Sequence, residues 1–207
     1  MNIRTIDELK TAVEQAGSVE DADALEQCAQ EYEAIATLES LAMAAQTRGS
    51  VERIRGNMRA SIEHDLRALE MFSANGDKQR IAAVCANLSI TEIKTGNYAD
   101  AMEYLQRALA LYKELRDLAG EANAYHLLGS VHYNTGELAI ALQHYQRSMA
   151  LREKRGDSRG AAITLSNIGG VYDGIGNYPQ ALEKFHQALA IMQELGDRKE
   201  VARITGN

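Results

Sequence analysis

Apolar residues recur three and four positions apart through most of the chain. Ala181, Leu182, Phe185, Ala188, Leu189 and Met192 form one such run, and Ala141, Leu142, Tyr145 and Met149 form its counterpart 40 residues earlier. That spacing gathers apolar side chains on one side of a helix, so each run predicts an amphipathic helix packed on its neighbours. Between the runs the chain turns polar and carries glycine at set places, in Thr95-Gly-Asn-Tyr, Thr135-Gly-Glu-Leu and Ile175-Gly-Asn-Tyr. Gly96, Gly136 and Gly176 are 40 residues apart, and Gly56 marks a weaker copy. Asp77, Asp117, Asp157 and Asp197 keep the same period, as do Ala101, Ala141 and Ala181, and Leu69, Leu109 and Leu189 with Met149 in the remaining place. Several columns in one register, with no gap from Thr37 to Asn207, define an internal repeat.

Each period reads as two helices. The first starts at an aspartate preceded by Gly76, Arg116, Gly156 or Gly196. Glycine favours the positive φ just past a helix end, and aspartate is a preferred N-cap, so Gly-Asp is a stop followed by a start. The first helix runs to the second glycine, as from Asp157 to Ile175, where the chain reverses; Pro179 then stands near the start of the next helix, where its missing N–H matters least. Antiparallel pairs joined by short turns stack in series. The expected organisation is an N-terminal helical segment over 1–36, then an array over 37–207: a degenerate repeat at 37–76, full repeats at 77–116, 117–156 and 157–196, and a partial one at 197–207. In the first segment Thr5 with Glu8 forms a candidate capping box, and Ile6, Leu9 and Val13 follow at helical spacing. The stretch from Asp21 to Arg48 has neither Gly nor Pro and fits one long helix or two with a break near Thr37.

These residues resemble the tetratricopeptide repeat (TPR) family, whose pattern runs bulky residue, Leu-Gly, Tyr, Gly, Ala, aromatic, Ala. One repeat reads Tyr125, Leu128-Gly129, His132, Gly136, Ala141, Tyr145, Ser148; the next reads Leu165, Ile168-Gly169, Tyr172, Gly176, Ala181, Phe185, Ala188. The repeat at 77–116 is looser, with Cys85, Leu88-Ser89, Glu92, Gly96, Ala101, Leu105 and Ala108, and the copy before it puts Arg48, Glu52 and Asp65 at apolar positions. The period exceeds the family's usual ~34 residues. Lys113, Glu153 and Gln193 stand where the family has proline. Both departures imply longer helices, similar to the TPR variants of spindle-orientation adaptors and bacterial signalling proteins. The fold so implied is all-α, an α-α superhelix: a TPR solenoid of stacked antiparallel helix pairs.

The resemblance also implies which positions face a ligand, since first helices of that family line the concave surface. Carried over, they are Asn87 and Ile90 in one repeat and Asn123, His126, Ser130, Tyr133 and Asn134 in the next. Ser166, Asn167 and Asp173 follow, with Arg203 in the partial repeat. Asparagine suits the holding of an extended backbone because its amide both donates and accepts; the alternative is that these amides bond neighbouring helices. The carboxylate-holding residues of chaperone-type TPRs are absent, with Ser50, Ile90, His126 and Ser130 among the residues at those places.

Composition narrows the classes. Of 207 residues, 22 are Lys or Arg and 29 Asp or Glu, for a net charge of −7, which argues against nucleic acid or an anionic membrane as partner. No run approaches the ~18 apolar residues of a membrane span, and Met1 to Glu8 is polar, without a secretory pattern. The expected location is cytoplasmic. Two cysteines, Cys28 and Cys85, make neither a disulfide framework nor a metal knuckle. The glycines from Gly169 to Gly176 lack the lysine and preceding strand of a phosphate loop, and the five histidines show no ligand spacing; His132, at a family tyrosine position, reads as a core residue. No catalytic set, metal site or cofactor is expected. The function so read is a protein–protein interaction module that binds a peptide or protein segment, as the regulatory N-terminal region of a larger signalling protein. The alternatives are the regulatory arm of a nucleotide cyclase or kinase whose catalytic domain lies beyond residue 207, and a self-associating scaffold. Because the last repeat is partial, a homodimer through its uncapped side, with Val201 and Ile204 in contact, is a further expectation.

Overall fold

The computed structural model describes residues 4–197 and 201–202. Ten α-helices and no strand occur among them: α1 (Ile6–Ser18), α2 (Ala22–Ile35), α3 (Leu38–Ile54), α4 (Met58–Asn75), α5 (Lys78–Thr95), α6 (Tyr98–Leu115), α7 (Leu118–Asn134), α8 (Leu138–Arg155), α9 (Ser158–Gly174) and α10 (Tyr178–Glu194). The all-α repeat architecture expected from the period is therefore present. Two compact units share the chain, residues 1–111 and 112–207. In unit 1, α1 packs on α2, α2 on α3, α3 on α4 and α4 on α5; in unit 2, α7 packs on α8, α8 on α9 and α9 on α10.

Local chemistry sets the boundaries. Asp77, Asp117 and Asp157 each accept a backbone N–H of the first turn that follows, at 2.9–3.0 Å. Gly76, Gly96, Gly136, Gly156 and Gly176 all have φ between 67° and 85°. Arg116 holds the equivalent left-handed place at φ 56°, a conformation that strains an L side chain. Thr5 and Glu8 form the anticipated capping box. The stretch from Asp21 to Arg48 resolves into two helices. Ala36 adopts φ 55°, and Thr37 caps α3 through a reciprocal bond set with Ser40, so the break is made by a cap where glycine and proline are lacking.

Within unit 2, packing depends on glycines in the middle of first helices. A Cβ at Gly129 would lie 2.6 Å from the Tyr145 ring, and one at Gly169 would lie 2.8 Å from the ring of Phe185. Real Cβ atoms do not approach so closely, so α7 meets α8, and α9 meets α10, only because hydrogen stands there. Tyr145 thereby joins a core with Ala141, Ile168 and Val171, and a second core gathers Ala162, Leu165, Ala188 and Met192. Val201 packs against that second core, while Ile204 lies outside the described residues. In unit 1, Ala16, Leu25 and Val51 tie α1, α2 and α3 together.

Gly129→Leu is expected to destabilise the protein by ~1–3 kcal/mol through overpacking. Gly17→Ala, at an open place in α1 with no atom within 4 Å of the new Cβ, should stabilise by ~0.5–1 kcal/mol. Urea unfolding of both variants against the parent checks the contrast.

Candidate functional site

In unit 1 a cleft of about 430 Å³ opens over α1, α3 and α5. Ser50, Arg53 and Ile54 reach it from one side of α3, and Asn87, Ile90 and Lys94 from one side of α5. Spacings of three and four bring those side chains together on each helix. Val13 of α1 and Leu25 of α2 add apolar wall. Asn87 and Ile90, both expected from the repeat register, thus stand side by side and half-buried in one concave place. Arg53 and Lys94 lie outside the carried-over positions, and Ser50 stands at one of the places where chaperone-type repeats hold a carboxylate; the packing of α3 beside α5 brings all three to the cleft.

Arg53 is the best-connected side chain of the cleft. Its Nη1 donates to Asp65 Oδ2 at 3.1 Å, Thr91 Oγ1 at 3.1 Å, the Asn87 carbonyl at 3.3 Å and Ser61 Oγ at 3.4 Å, and its Nη2 donates to Ser50 Oγ at 3.0 Å. Asp65 is fully buried, with Oδ1 left unpaired. Its carboxylate fits because position 49 is glycine; a Cβ there would collide with Oδ1. The aspartate that breaks the apolar pattern of α4 is therefore one half of a buried ion pair. Burial pushes the Asp65 carboxyl up to about 7, against the pull of the Arg53 charge and its hydrogen bond.

In unit 2, α7 and α9 bring His126 and Asn167 together. Asn167 Nδ2 lies 3.2 Å from His126 Nε2, and His126 Nδ1 lies 3.3 Å from Thr164 Oγ1. Asn167 and Thr164 thus meet the two ring nitrogens of His126, one each. Ser130 Oγ accepts from the Tyr145 hydroxyl at 3.2 Å and donates to the His126 carbonyl at 3.2 Å. Asn123 Oδ1 accepts from Arg152 Nη2 at 3.2 Å, so its amide braces the buried arginine of α8. Ser166 is buried, whereas Tyr133, Asn134 and Asp173 are exposed. Arg203 lies outside the described residues. The amides at equivalent repeat positions thus differ: Asn167 joins two helices, while Asn87 shows no side-chain partner among the described residues.

Other reactive types sit in packing roles. His132 is buried, with Nδ1 2.6 Å from Glu137 Oε2 and its ring stacked on His144 at 5.1 Å between centroids. Burial, His132 and Arg147 hold the His144 imidazole below the usual histidine range. Burial raises both the Cys28 and the Cys85 thiol, which disfavours the nucleophilic thiolate. Among the described residues no group of three or more His, Cys, Asp or Glu is placed to hold a metal ion, and no helix is long and apolar enough to cross a membrane.

The raised Asp65 carboxyl has a definite consequence for stability. The folded state keeps this proton from the ordinary 3.8 up to about 7, whereas the unfolded chain releases it near 3.8. Folding is thus favoured by protonation, and this contribution to stability falls as pH rises across that window. The difference in unfolding free energy between the parent and Asp65→Asn should shift against the parent from pH 4 to pH 7. Denaturant titrations at pH 4, 5.5 and 7 measure it, and a constant difference would contradict the assignment.

The sequence model described as tetratricopeptide repeat matches residues 39–114 and 120–194. A search of curated proteins returns no match. Among solved structures, the Rap conjugation gene regulator of plasmid pLS20, in complex with the Phr* peptide, superposes with a TM-score of 0.82 at 17% identity, over 94% of this chain and 55% of that one. The apo form of RapI gives 0.77 at 18% identity, covering 95% of this chain and 74% of its own length. BtubC from P. vanneervenii gives 0.74 at 18% identity, over 93% and 81% respectively. At such identities the likeness is one of fold.

Proposed function

The chain belongs to the tetratricopeptide repeat family, and we propose that it is a protein-interaction module whose unit 1 cleft holds an extended segment of a partner protein. The observation that carries this reading is the cleft itself: about 430 Å³, with apolar wall from Ile54 and Ile90 and with the Asn87 amide at its side. An extended peptide carries unpaired N–H and C=O groups along its length. An asparagine amide matches both, and apolar wall supplies the area that contributes most of the affinity. On the same reading the exposed Tyr133, Asn134 and Asp173 give unit 2 a face of its own for a partner. The finer role, control of a larger signalling protein by occupancy of the module, draws support by fold analogy from one neighbour being called a conjugation gene regulator with a bound peptide.

Selection of octapeptides from a phage library tests the reading. Selected peptides should lose about tenfold in affinity on Asn87→Ala, the effect of one or two hydrogen bonds at ~0.5–1.5 kcal/mol each. The melting temperature of that variant should stay near that of the parent. Peptides that bind Asn87→Ala and Ile90→Asp as tightly as the parent would remove the cleft assignment.

A further inference from the structure

The geometry points to a carboxylate-reading subsite in the unit 1 cleft: Arg53, Ser50 and Lys94 take the side chain of an acidic residue in an extended peptide, beside an apolar pocket for its neighbour. The inference rests on the reading of the cleft as a peptide site and names the chemistry of what it selects.

Arginine carries five N–H donors in one plane. In Arg53 the Nη1 end is used inward, on Asp65, Thr91, Ser61 and the Asn87 carbonyl. The opposite edge is Nε with Nη2. Among the described residues that edge meets one acceptor, Ser50 Oγ at 3.0 Å from Nη2, and Nε meets none. A carboxylate set against an Nε–Nη2 edge forms two parallel charge-assisted hydrogen bonds, the arrangement in which Arg discriminates best. The inward bonds also hold the guanidinium still, so little side-chain freedom is left to lose when a ligand arrives.

Charge favours an anion here although the whole chain is acidic at −7. Lys94 is exposed on the last turns of α5, lines the same cleft and forms no ion pair among the described residues. Glu20 is the one acidic residue that lines the cleft among those described, against the two cations Arg53 and Lys94. Asp65 pairs with Arg53 on its inner, Nη1 side, and leaves the Nε–Nη2 edge without a carboxylate. Next to the cations, Ile54, Ile90 and Val13 offer apolar surface. The Asn87 amide lies alongside with donor and acceptor for a backbone that runs past, which selects an internal acidic residue over a chain terminus.

The probe is a randomised octapeptide array, acetylated and amidated so that side chains carry the only carboxylates, incubated with the full chain. Bound peptides should share an aspartate or glutamate beside an apolar residue, and exchange of that glutamate for glutamine should weaken binding at least tenfold. Ser50→Ala with Lys94→Gln, both outside the core, should erase most of that preference while the glutamine peptides bind as before. Arg53→Gln in the Asp65→Asn background, with its fold checked by circular dichroism, should erase it fully; if that variant fails to fold, the Ser50 and Lys94 pair decides. Binding with no preference for acid, or equal losses for glutamate and glutamine peptides, overturns the subsite and leaves the peptide cleft standing. Binding only to a parallel array with free C-terminal carboxylates overturns the internal-acid assignment. Absence of binding to either array overturns both the subsite and the peptide cleft.

Discussion

The fold of unit 2 depends on the approach of paired helices at places where no Cβ can stand. Gly129 lies against the Tyr145 ring and Gly169 against Phe185, each in the middle of a first helix where glycine is otherwise unfavourable by ~1 kcal/mol relative to alanine. The ring of the second helix fills the space that the missing side chain leaves, and the aliphatic cores gather around it. Dispersion falls off steeply with separation, so helices held a methyl group apart would forfeit much of that contact. The same need for closeness explains why the second helices carry alanine at Ala141 and Ala181, both buried.

Unit 1 meets the same geometric demand with different chemistry. At the position of the aromatic ring, Asp65 faces Gly49 and pairs with Arg53. A buried ion pair does not by itself add much stability, because desolvation of both charges offsets their attraction. What it supplies here is position. Arg53 is anchored from within by Asp65, Thr91 and the Asn87 carbonyl, and the same side chain lines the cleft. The repeat that departs furthest from the family pattern is thus the one whose departure builds a buried polar cluster, and what looks like a defect in apolar periodicity is the partner of Arg53.

Asparagines at equivalent places show how one residue type serves two ends. Asn167 bonds His126 of the preceding first helix, whose other ring nitrogen meets Thr164. Asn87 has Gln46 at the place that corresponds to His126, and among the described residues its amide bonds no side chain while it lines the cleft. Asn123 accepts from Arg152, a buried arginine that also bonds Ser148 and Asp157. In both units, then, a guanidinium collects polar groups from several turns and helices.

The sequence alone determined the elements and their order. Caps such as Thr5 with Glu8 and Asp157, and the positive φ of Gly96 or Gly176, depend on residues within four positions of one another, so local sequence specifies them. The register of the apolar stripes and the small residues Gly129 and Gly169 followed from the period, as did the placement of Asn87 and Ile90 on one side of α5. Tertiary structure decided the partners. Arg53 and Thr91 are separated by 38 positions, Asn123 and Arg152 by 29, and Asn167 and His126 by 41, and nothing local distinguishes these side chains from solvated ones. Asp65 read as a flaw until the burial of α4 against α3 and α5 placed it on Arg53, because the energy of a charge is set by what surrounds it in space and not by its neighbours in the chain.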